Sequence, residues 1–261
     1  MDWPESTDPV LTVFPRGRAR HGGRLAGHPV VSENALEWTS TYGSLTTTTY
    51  GIGSMDGMNE AGLALHALYL QATAVAERDP RIPGLQIGLW PQFLLDSAAT
   101  VVEAVSLLDT FQLVMVEAQG HKATIHLAIE DNGGDSAVLE LTDGTVDVHH
   151  DRAHTIMTND PTFEEQRRLL AEQDFSNPSR DMPLPGNVNA RDRFQRAAYY
   201  SALLPEPATE RQAVAALLAV MRNVSVPFGA PYGEFGIYDT EYRTVCDLTN
   251  RRYFFELSTS P

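Results

Sequence analysis

The sequence has little cysteine, little positive charge and no long apolar run. Its 261 residues include one cysteine, Cys246, which excludes an internal disulfide and a cysteine-rich zinc site. No apolar run approaches the roughly 20 residues of a membrane-spanning helix, and the N-terminus shows no signal-peptide pattern. Lys+Arg number 19 against 34 Asp+Glu, giving a net charge of −15. This charge disfavours binding to nucleic acid or to an anionic membrane surface.

Common catalytic and cofactor-binding motifs are also missing. The sequence contains no G-x-S-x-G nucleophile elbow, no phosphate loop and no dinucleotide fingerprint, so we predict no cofactor. The hydrophobic fraction of 43% is sufficient for a sizeable core and argues against disorder. Without repeats or a long linker, we predict a single domain over residues 1–261.

Strand patterns occur near both ends and in the middle of the chain. "VLTVFP" at 10–15 alternates, and 42–53 is rich in Thr and Tyr. Residues 56–70 predict a hairpin whose turn holds Asp56, Gly57, Asn59 and Gly62. Further strand predictions follow at 121–150 (three strands), at 155–163 (the end of a strand) and at 240–257 (a hairpin).

Helix patterns fall between these strands. The predicted helices cover 91–108 with a break near 96–100, and then 163–173, 191–203 and 208–224. Two antiparallel sheets with helices outside them would accommodate this order of elements. The sequence therefore predicts an α+β fold of the αββα type.

Three residues are candidates for a metal site or a nucleophile. His150 and His154 lie four apart in "HHDRAH", a spacing that can bind a metal on a helix. The surrounding pattern is that of a strand and its turn, so we interpret both as exposed or locally bonded histidines and predict no metal. Cys246 lies in the apolar stretch "TVCDL", which favours a small buried residue over a nucleophile.

Four separated stretches together carry a family resemblance. In order they are "MDWPESTDPVLTVFPRG", "DGMNEAGLALHALYL", "TNDPTFEEQ" and "LPGNVNARDRFQRA", and the similarity continues through "TVCDLTNRRYFFEL". Each is weak alone, but their order and spacing resemble the choloylglycine hydrolase and penicillin V acylase family across the chain. The resemblance implies a hydrolase of linear amides with the four-layer αββα N-terminal-nucleophile fold. Its members are often tetramers, so a homo-oligomer is expected.

The resemblance also bears on the start of the sequence. Mature members of this family begin with a cysteine, and a strand, a turn and an arginine separate it from the "MDW" stretch. We therefore expect that this sequence lacks the nucleophile, the first strand and that arginine. A mis-called start codon or a truncated gene model is the favoured explanation, and an inactive, ligand-binding pseudoenzyme is the alternative.

The chemistry of this family needs a processed N-terminus. The nucleophile is the terminal thiol, and the terminal α-amine of the same residue is its base. A free α-amine has a pKa of about 8 and a thiol about 8.5, so the two exchange a proton near neutral pH. The other site residues orient this pair and stabilise the tetrahedral oxyanion.

Four residues of this sequence match the family's catalytic positions. The resemblance implies that Asp2 bonds the terminal amine, that the Asn159 amide donates to the oxyanion, and that Arg193 lies close to the nucleophile. Tyr69 occupies a position that is Asn in many bile-salt hydrolases and Tyr in penicillin acylases. Without the family frame these residues would be a surface carboxylate, an Asn-Asp-Pro turn, an exposed helical arginine and a packed strand tyrosine.

Two residues, Tyr69 and Met1, bear on substrate specificity through the same resemblance. Tyr69 favours aryl- or alkyl-acyl amides, such as penicillin V or acyl-homoserine lactones, over conjugated bile salts. Met1 matches a position that lines the acyl pocket, where an apolar side chain is suitable; the alternative is a start codon with no such role. The implied partner is thus a small-molecule amide.

Overall fold

The computed structural model describes residues 1–51, 53–118, 120–231 and 236–259. The chain forms two compact units. The first, here called the sheet unit, comprises Asp8–Thr155 and Leu248–Tyr253. The second, the helical unit, comprises Met1–Thr7, Ile156–Asp247 and Phe254–Pro261. A single domain over residues 1–261 stays a prediction.

A seven-stranded antiparallel sheet forms the centre of the sheet unit. Its strands are β1 (Val10–Phe14), β6 (Ser44–Thr49), β7 (Gly53–Asn59), β8 (Leu63–Tyr69), β13 (Ile125–Asp131), β14 (Ser136–Thr142) and β15 (Thr145–His150). They lie side by side in the order β1-β6-β7-β8-β13-β14-β15, and each neighbouring pair is antiparallel.

Shorter elements complete this unit. The short strands are β2 (Ala19–His21), β3 (Arg24–Leu25), β4 (His28–Pro29), β5 (Glu37–Thr39), β9 (Gly84–Gln86), β10 (Gln112–Val114), β11 (Glu117–Ala118) and β12 (His121–Lys122). The helices are α1 (Trp90–Ser97) and α2 (Val101–Ser106), with 3-10 turns at Ile87–Leu89 and Leu108–Thr110. Thus the predicted helix over 91–108 forms, and its predicted break falls between α1 and α2.

One face of the sheet belongs to the apolar core. The side chains of Leu63, Leu65 and Ala67 alternate on β8, and Leu127 and Ile129 do so on β13. They cluster with further buried residues of α1 and α2, which are Trp90, Phe93, Leu94, Leu95, Val101 and Ala104. Because successive strand residues point to opposite faces, the intervening residues lie on the other face of the sheet.

The described residues of the helical unit form three helices and a terminal pair of strands. The helices are α3 (Phe163–Ala171), α4 (Ala190–Ala202) and α5 (Glu210–Asn223), and β16 (Tyr242–Asp247) pairs with β17 (Arg252–Leu257). Thr209 caps α5 by accepting a hydrogen bond from the Gln212 N–H at 3.2 Å, as Ser and Thr commonly do at a helix start. No helix in the described part of the chain has the length and apolar composition needed to span a bilayer.

Two local predictions are wrong. Asp56 and Gly57 lie within β7 instead of in the hairpin turn, which Asn59 to Gly62 forms. A Cβ on Gly57 would lie 2.7 Å from the carbonyl oxygen of Leu45, so this glycine permits close backbone approach in the strand. Residues 155–162 form no strand.

A charged cluster occupies the sheet face opposite the core. His66 of β8 lies across from Asp56 of β7, and its Nδ1 donates to Asp56 Oδ2 at 2.5 Å while Nε2 donates to Glu130 Oε1 at 2.7 Å. The Tyr253 hydroxyl donates to Asp56 Oδ1 and accepts from Thr47 at 2.7 Å. With both ring nitrogens donating to carboxylates, His66 is held as an imidazolium.

This cluster predicts a fall in stability at alkaline pH. Burial lowers the pKa of His66, but the charges of Glu130 and Asp56 and their hydrogen bonds outweigh burial and hold it well above its usual value. The cluster's contribution should be complete below about pH 6.5, the pKa of an unfolded histidine, and should be lost as pH rises through the raised folded-state pKa.

Urea denaturation over a pH series measures this effect. The free energy of unfolding should decline with rising pH in the unsubstituted chain, and His66→Gln should flatten that decline. His28 is an exposed histidine of the same unit, and His28→Gln should leave the pH dependence unchanged. Equal pH dependence in His66→Gln and the unsubstituted chain would contradict the assignment.

Candidate active site

Helix α4 positions the arginine of the site. Asn189 caps this helix, its Oδ1 accepting from the Asp192 N–H at 2.9 Å, and Asp192 Oδ2 in turn accepts from the Asn187 N–H at 2.8 Å. The Arg193 N–H donates to the Asn189 carbonyl at 3.1 Å, closing the first turn. The "NVNARDRF" stretch therefore forms a capped helix start that places Arg193 one turn into the helix.

Arg193 joins the other two predicted catalytic residues of this unit. Its Nη1 donates to Asp2 Oδ2 at 2.7 Å and its Nη2 donates to Asn159 Oδ1 at 2.9 Å. The side chains of Arg193 and Asp2 are only 8% and 17% exposed. A guanidinium presents donors in a fixed planar fork, so one buried side chain sets the positions of both neighbours. Asp2, Asn159 and Arg193 thus converge, although residue numbers up to 191 apart separate them.

The contact with Arg193 also fixes the orientation of the Asn159 amide. A guanidinium can only donate hydrogen bonds, so the amide atom that faces it must be the oxygen, Oδ1. The NH₂ group of Asn159 consequently points away from Arg193. This is the orientation in which the amide could donate to an oxyanion on its other side.

Two residues that the sequence did not single out hold the Asn159 backbone. The Gln166 Nε2 of α3 donates at 3.2 Å to the carbonyls of Asn159 and Asp160 and to the Thr158 hydroxyl. Thr158 donates to the Ala190 carbonyl at 3.1 Å, which ties the segment to α4. Gln166 is 1% exposed. Both Thr158 and Gln166 lie in the "TNDPTFEEQ" stretch, but only the folded structure shows that the Gln166 side chain bonds the Asn159 backbone.

Asp2 has a second partner that sequence reasoning missed. The Thr240 hydroxyl donates to Asp2 Oδ1, and the two residues form an isolated antiparallel bridge. Thr240 is 4% exposed. The two carboxylate oxygens of Asp2 therefore each accept from a different buried side chain.

Met1 extends the terminal strands of the helical unit. Its amine donates to the Tyr242 carbonyl at 2.9 Å, and its carbonyl accepts from the Glu241 N–H at 2.9 Å. Its side chain is half-buried. The predicted role of Met1 in lining an acyl pocket stays a prediction.

The remaining sequence candidates belong to other elements of the chain. Tyr69 is the last residue of β8 in the sheet unit, opposite Ile125, and its catalytic role stays a prediction. His150 Nε2 bonds Asp135 Oδ2 at 2.9 Å, and His154 Nδ1 donates to the His149 carbonyl at 3.0 Å. Cys246 is half-buried in β16 rather than fully buried.

The pKa of one site neighbour is displaced. Burial lowers the pKa of Arg196, the nearby charge of Asp192 opposes this effect, and the charge of Arg193 lowers the pKa further. Arg196 donates to the carbonyls of Pro185 and Asn187 at 2.7 and 2.9 Å. It therefore holds the loop that leads into α4, and it remains charged at any physiological pH.

This chain is similar in sequence to known amide hydrolases. Residues 1–261 match the family described as linear amide C-N hydrolases, choloylglycine hydrolase family. The chain is 37% identical to a penicillin V acylase of Pectobacterium atrosepticum over 285 residues, an alignment that covers 100% of the chain and 73% of that relative.

Solved structures agree with this result. Penicillin V acylase from Agrobacterium tumefaciens superposes with a TM-score of 0.88 at 40% identity, covering 100% of this chain and 78% of that one. A variant of conjugated bile acid hydrolase from Clostridium perfringens shares the fold, with a TM-score of 0.80 at 19% identity over 99% of this chain and 84% of that one. The α+β N-terminal-nucleophile hydrolase fold predicted from the sequence is therefore confirmed, and the chain belongs to the choloylglycine hydrolase family of linear amide C-N hydrolases.

Proposed function

We propose that this chain forms the body of an amidase that cleaves the acyl side chain of penicillin V or of similar aryl- and alkyl-acyl amides. The observation that carries the proposal is the Arg193 fork, which holds the Asp2 carboxylate and the Asn159 amide at one place. Two penicillin V acylases are its relatives at 37% and 40% identity. Tyr69, the residue type of penicillin acylases at that position, supports the same substrate class. A homo-oligomer remains part of the proposal.

Each residue has a distinct role in the proposed reaction. A cysteine at a processed N-terminus would attack the amide carbonyl carbon after its thiol proton passes to its own α-amine. Asp2 would bind and orient that amine, and the Asn159 NH₂ group would donate to the oxyanion. The amine product would leave with the proton as the C–N bond breaks. Water would then hydrolyse the thioester and restore the thiol.

The polypeptide of residues 1–261 should by itself show no turnover. Its terminal amine belongs to Met1, and its one thiol is Cys246, within β16. The terminal residue therefore carries an α-amine but no thiol, so the amine has no thiol on its own residue from which to take a proton. Penicillin V hydrolysis assayed with purified polypeptide measures this, and hydrolysis by residues 1–261 would contradict the assignment of the nucleophile.

The substrate class can be tested only with a polypeptide that carries the proposed N-terminal cysteine. The in-frame codons upstream of Met1 decide whether the gene supplies it: a Cys codon followed by a strand pattern and an Arg codon supports the amidase, and a stop codon opposes it. The extended polypeptide would then be assayed with penicillin V, an acyl-homoserine lactone and a glycine-conjugated bile salt. Fastest cleavage of the bile salt would contradict the proposed specificity.

The alternatives predict different results in the same assays. An inactive, ligand-binding family member would bind penicillin V without cleaving it, even after extension. An acyltransferase on this scaffold would pass the acyl group to an added amine in preference to water. Product analysis in the presence of glycine or taurine distinguishes transfer from hydrolysis.

A further inference from the structure

The Asp2 carboxylate is held from two sides by groups of different kinds. Arg193 supplies a charged donor to Oδ2 at 2.7 Å, and the Thr240 hydroxyl supplies a neutral donor to Oδ1. We propose that Thr240 is a positioning residue that sets the rotation of the Asp2 carboxylate. This inference rests on the proposed function, in which Asp2 binds the terminal amine.

The backbone fixes the direction of the Thr240 hydroxyl hydrogen. The Val226 N–H, which can only donate, lies 2.9 Å from Thr240 Oγ1. The hydroxyl oxygen therefore accepts from the backbone, and its own hydrogen is directed to Asp2 Oδ1. Asp2 therefore accepts at both carboxylate oxygens, Oδ2 from Arg193 and Oδ1 from Thr240.

Thr240 is itself rigidly placed. Its N–H donates to the Val226 carbonyl at 3.0 Å, so Thr240 and Val226 are joined by two reciprocal hydrogen bonds. Val226 is 3% exposed and follows the end of α5. The β-branched Thr side chain adds stiffness at χ1. Helix α5 is thus linked through Val226 and Thr240 to the carboxylate of Asp2.

The consequence for the site is geometric. With Arg193 alone, the carboxylate could pivot about the bond to Oδ2, but a second donor at Oδ1 removes that freedom. Each oxygen keeps a further lone pair that could accept from an amine. A carboxylate fixed in this way can orient the amine of the proposed nucleophile without reorganisation, which is the main requirement of a positioned catalytic group.

The ¹³C resonance of the Asp2 side-chain carboxylate tests this on the 261-residue chain, without activity. Comparison with Asp2→Asn assigns the resonance. We expect Thr240→Val to shift it, because the donor to Oδ1 is lost, and Thr240→Ser to restore it. Thr7 provides a matched control, since its buried hydroxyl donates to Glu241 Oε2 at 2.6 Å in the same unit. Thr7→Val should leave the Asp2 resonance in place.

Kinetics of the extended, active polypeptide provide the second measurement. Thr240→Val should lower kcat about tenfold, with a smaller change in KM, as expected for a misoriented catalytic group. Thr240→Ser should recover most of kcat, and Thr7→Val should retain it. If no extended form hydrolyses any amide, the proposed function fails, whereas the NMR result still decides whether Thr240 holds Asp2.

An unchanged Asp2 resonance in folded Thr240→Val would overturn the inference. Equal loss of kcat in Thr240→Ser and Thr240→Val would also overturn it, because the hydroxyl would then be irrelevant. If Thr240→Val does not fold, Thr240→Ala removes the same hydroxyl with less crowding and is measured in its place. Folding of Thr240→Ser together with collapse of both Thr240→Val and Thr240→Ala would indicate a purely structural hydroxyl and count against positioning.

Discussion

Substituting Arg193 by lysine should lower the free energy of unfolding by about 3 kcal/mol and reduce amide hydrolysis by the active form about a hundredfold or more. The two terminal nitrogens of Arg193 reach two different residues, Asp2 and Asn159. A lysine ammonium is a single compact charge and can satisfy one of them. The other is then left in a buried setting without its donor. Urea denaturation of residues 1–261 measures the stability, and penicillin V hydrolysis by the extended chain measures the activity.

Helix α4 offers a matched control two residues earlier. Arg191 is exposed, so Arg191→Lys makes the same chemical change on the same helix without disturbing a buried contact. Its effect on stability should stay within about 0.5 kcal/mol. Similar losses in Arg191→Lys and Arg193→Lys would show that helix propensity, and not the fork to Asp2 and Asn159, determines the result.

The sequence predicts the local structure well where the pattern is strictly local. Strand alternation locates β13 to β15, and turn residues separate them. The helix predictions over 163–173, 191–203 and 208–224 correspond to α3, α4 and α5 within a few residues. These elements depend on periodicity and capping, which neighbouring residues determine.

Local sequence patterns predict the wrong conformation where distant parts of the backbone determine it. "DG" in "MDGMN" is typical of a turn, yet Gly57 lies inside β7 because the neighbouring strand β6 approaches too closely for a Cβ. Residues 155–162 have strand-like composition, but hydrogen bonds from Gln166 and to Ala190 hold the segment from Thr158 to Asp160 in another conformation. No local pattern contains that information.

Site residues divide in a similar way. Asp2, Asn159 and Arg193 could be located because a family resemblance supplies their positions, whereas periodicity alone gives each of them an ordinary structural role. Thr240 and Gln166 carry no signal, since a threonine or glutamine becomes a site residue only through the partner it meets. Thr240 is 238 residues from Asp2 in the sequence, and only the folded chain shows that contact.

A different family stretch has a role in the fold instead of in the chemistry. Asn59 begins "NEAGL", and its side chain makes five hydrogen bonds while 1% exposed. Its Oδ1 accepts from three successive N–H groups of the turn, those of Ala61, Gly62 and Leu63, at 3.0 to 3.1 Å. Its Nδ2 donates to the Leu95 and Ala98 carbonyls at 2.9 and 2.7 Å.

Replacing Asn59 by alanine should therefore destabilise the chain by on the order of 4 kcal/mol, because several buried backbone groups lose a side-chain hydrogen-bond partner. Asn59→Asp separates the two halves of the network. It keeps the acceptor for the turn but brings a carboxylate oxygen against the two carbonyl oxygens at the end of α1. We expect a comparable loss of stability at neutral pH, measured by urea denaturation, and partial recovery on acidification, when the carboxyl can donate again.

A control variant at Asn132 tests whether burial of the Asn59 side chain causes the expected loss of stability. It is an exposed asparagine in the same unit, and its side chain donates to the Ala61 carbonyl at 3.5 Å, so Asn132→Asp should cost no more than about 0.5 kcal/mol. A mild effect of Asn59→Ala, similar to that of Asn132→Asp, would mean that water can replace the five bonds. A large loss of stability with unchanged relative activity in the surviving folded fraction would place Asn59 in the scaffold, since its side chain fastens the β7–β8 turn to the end of α1.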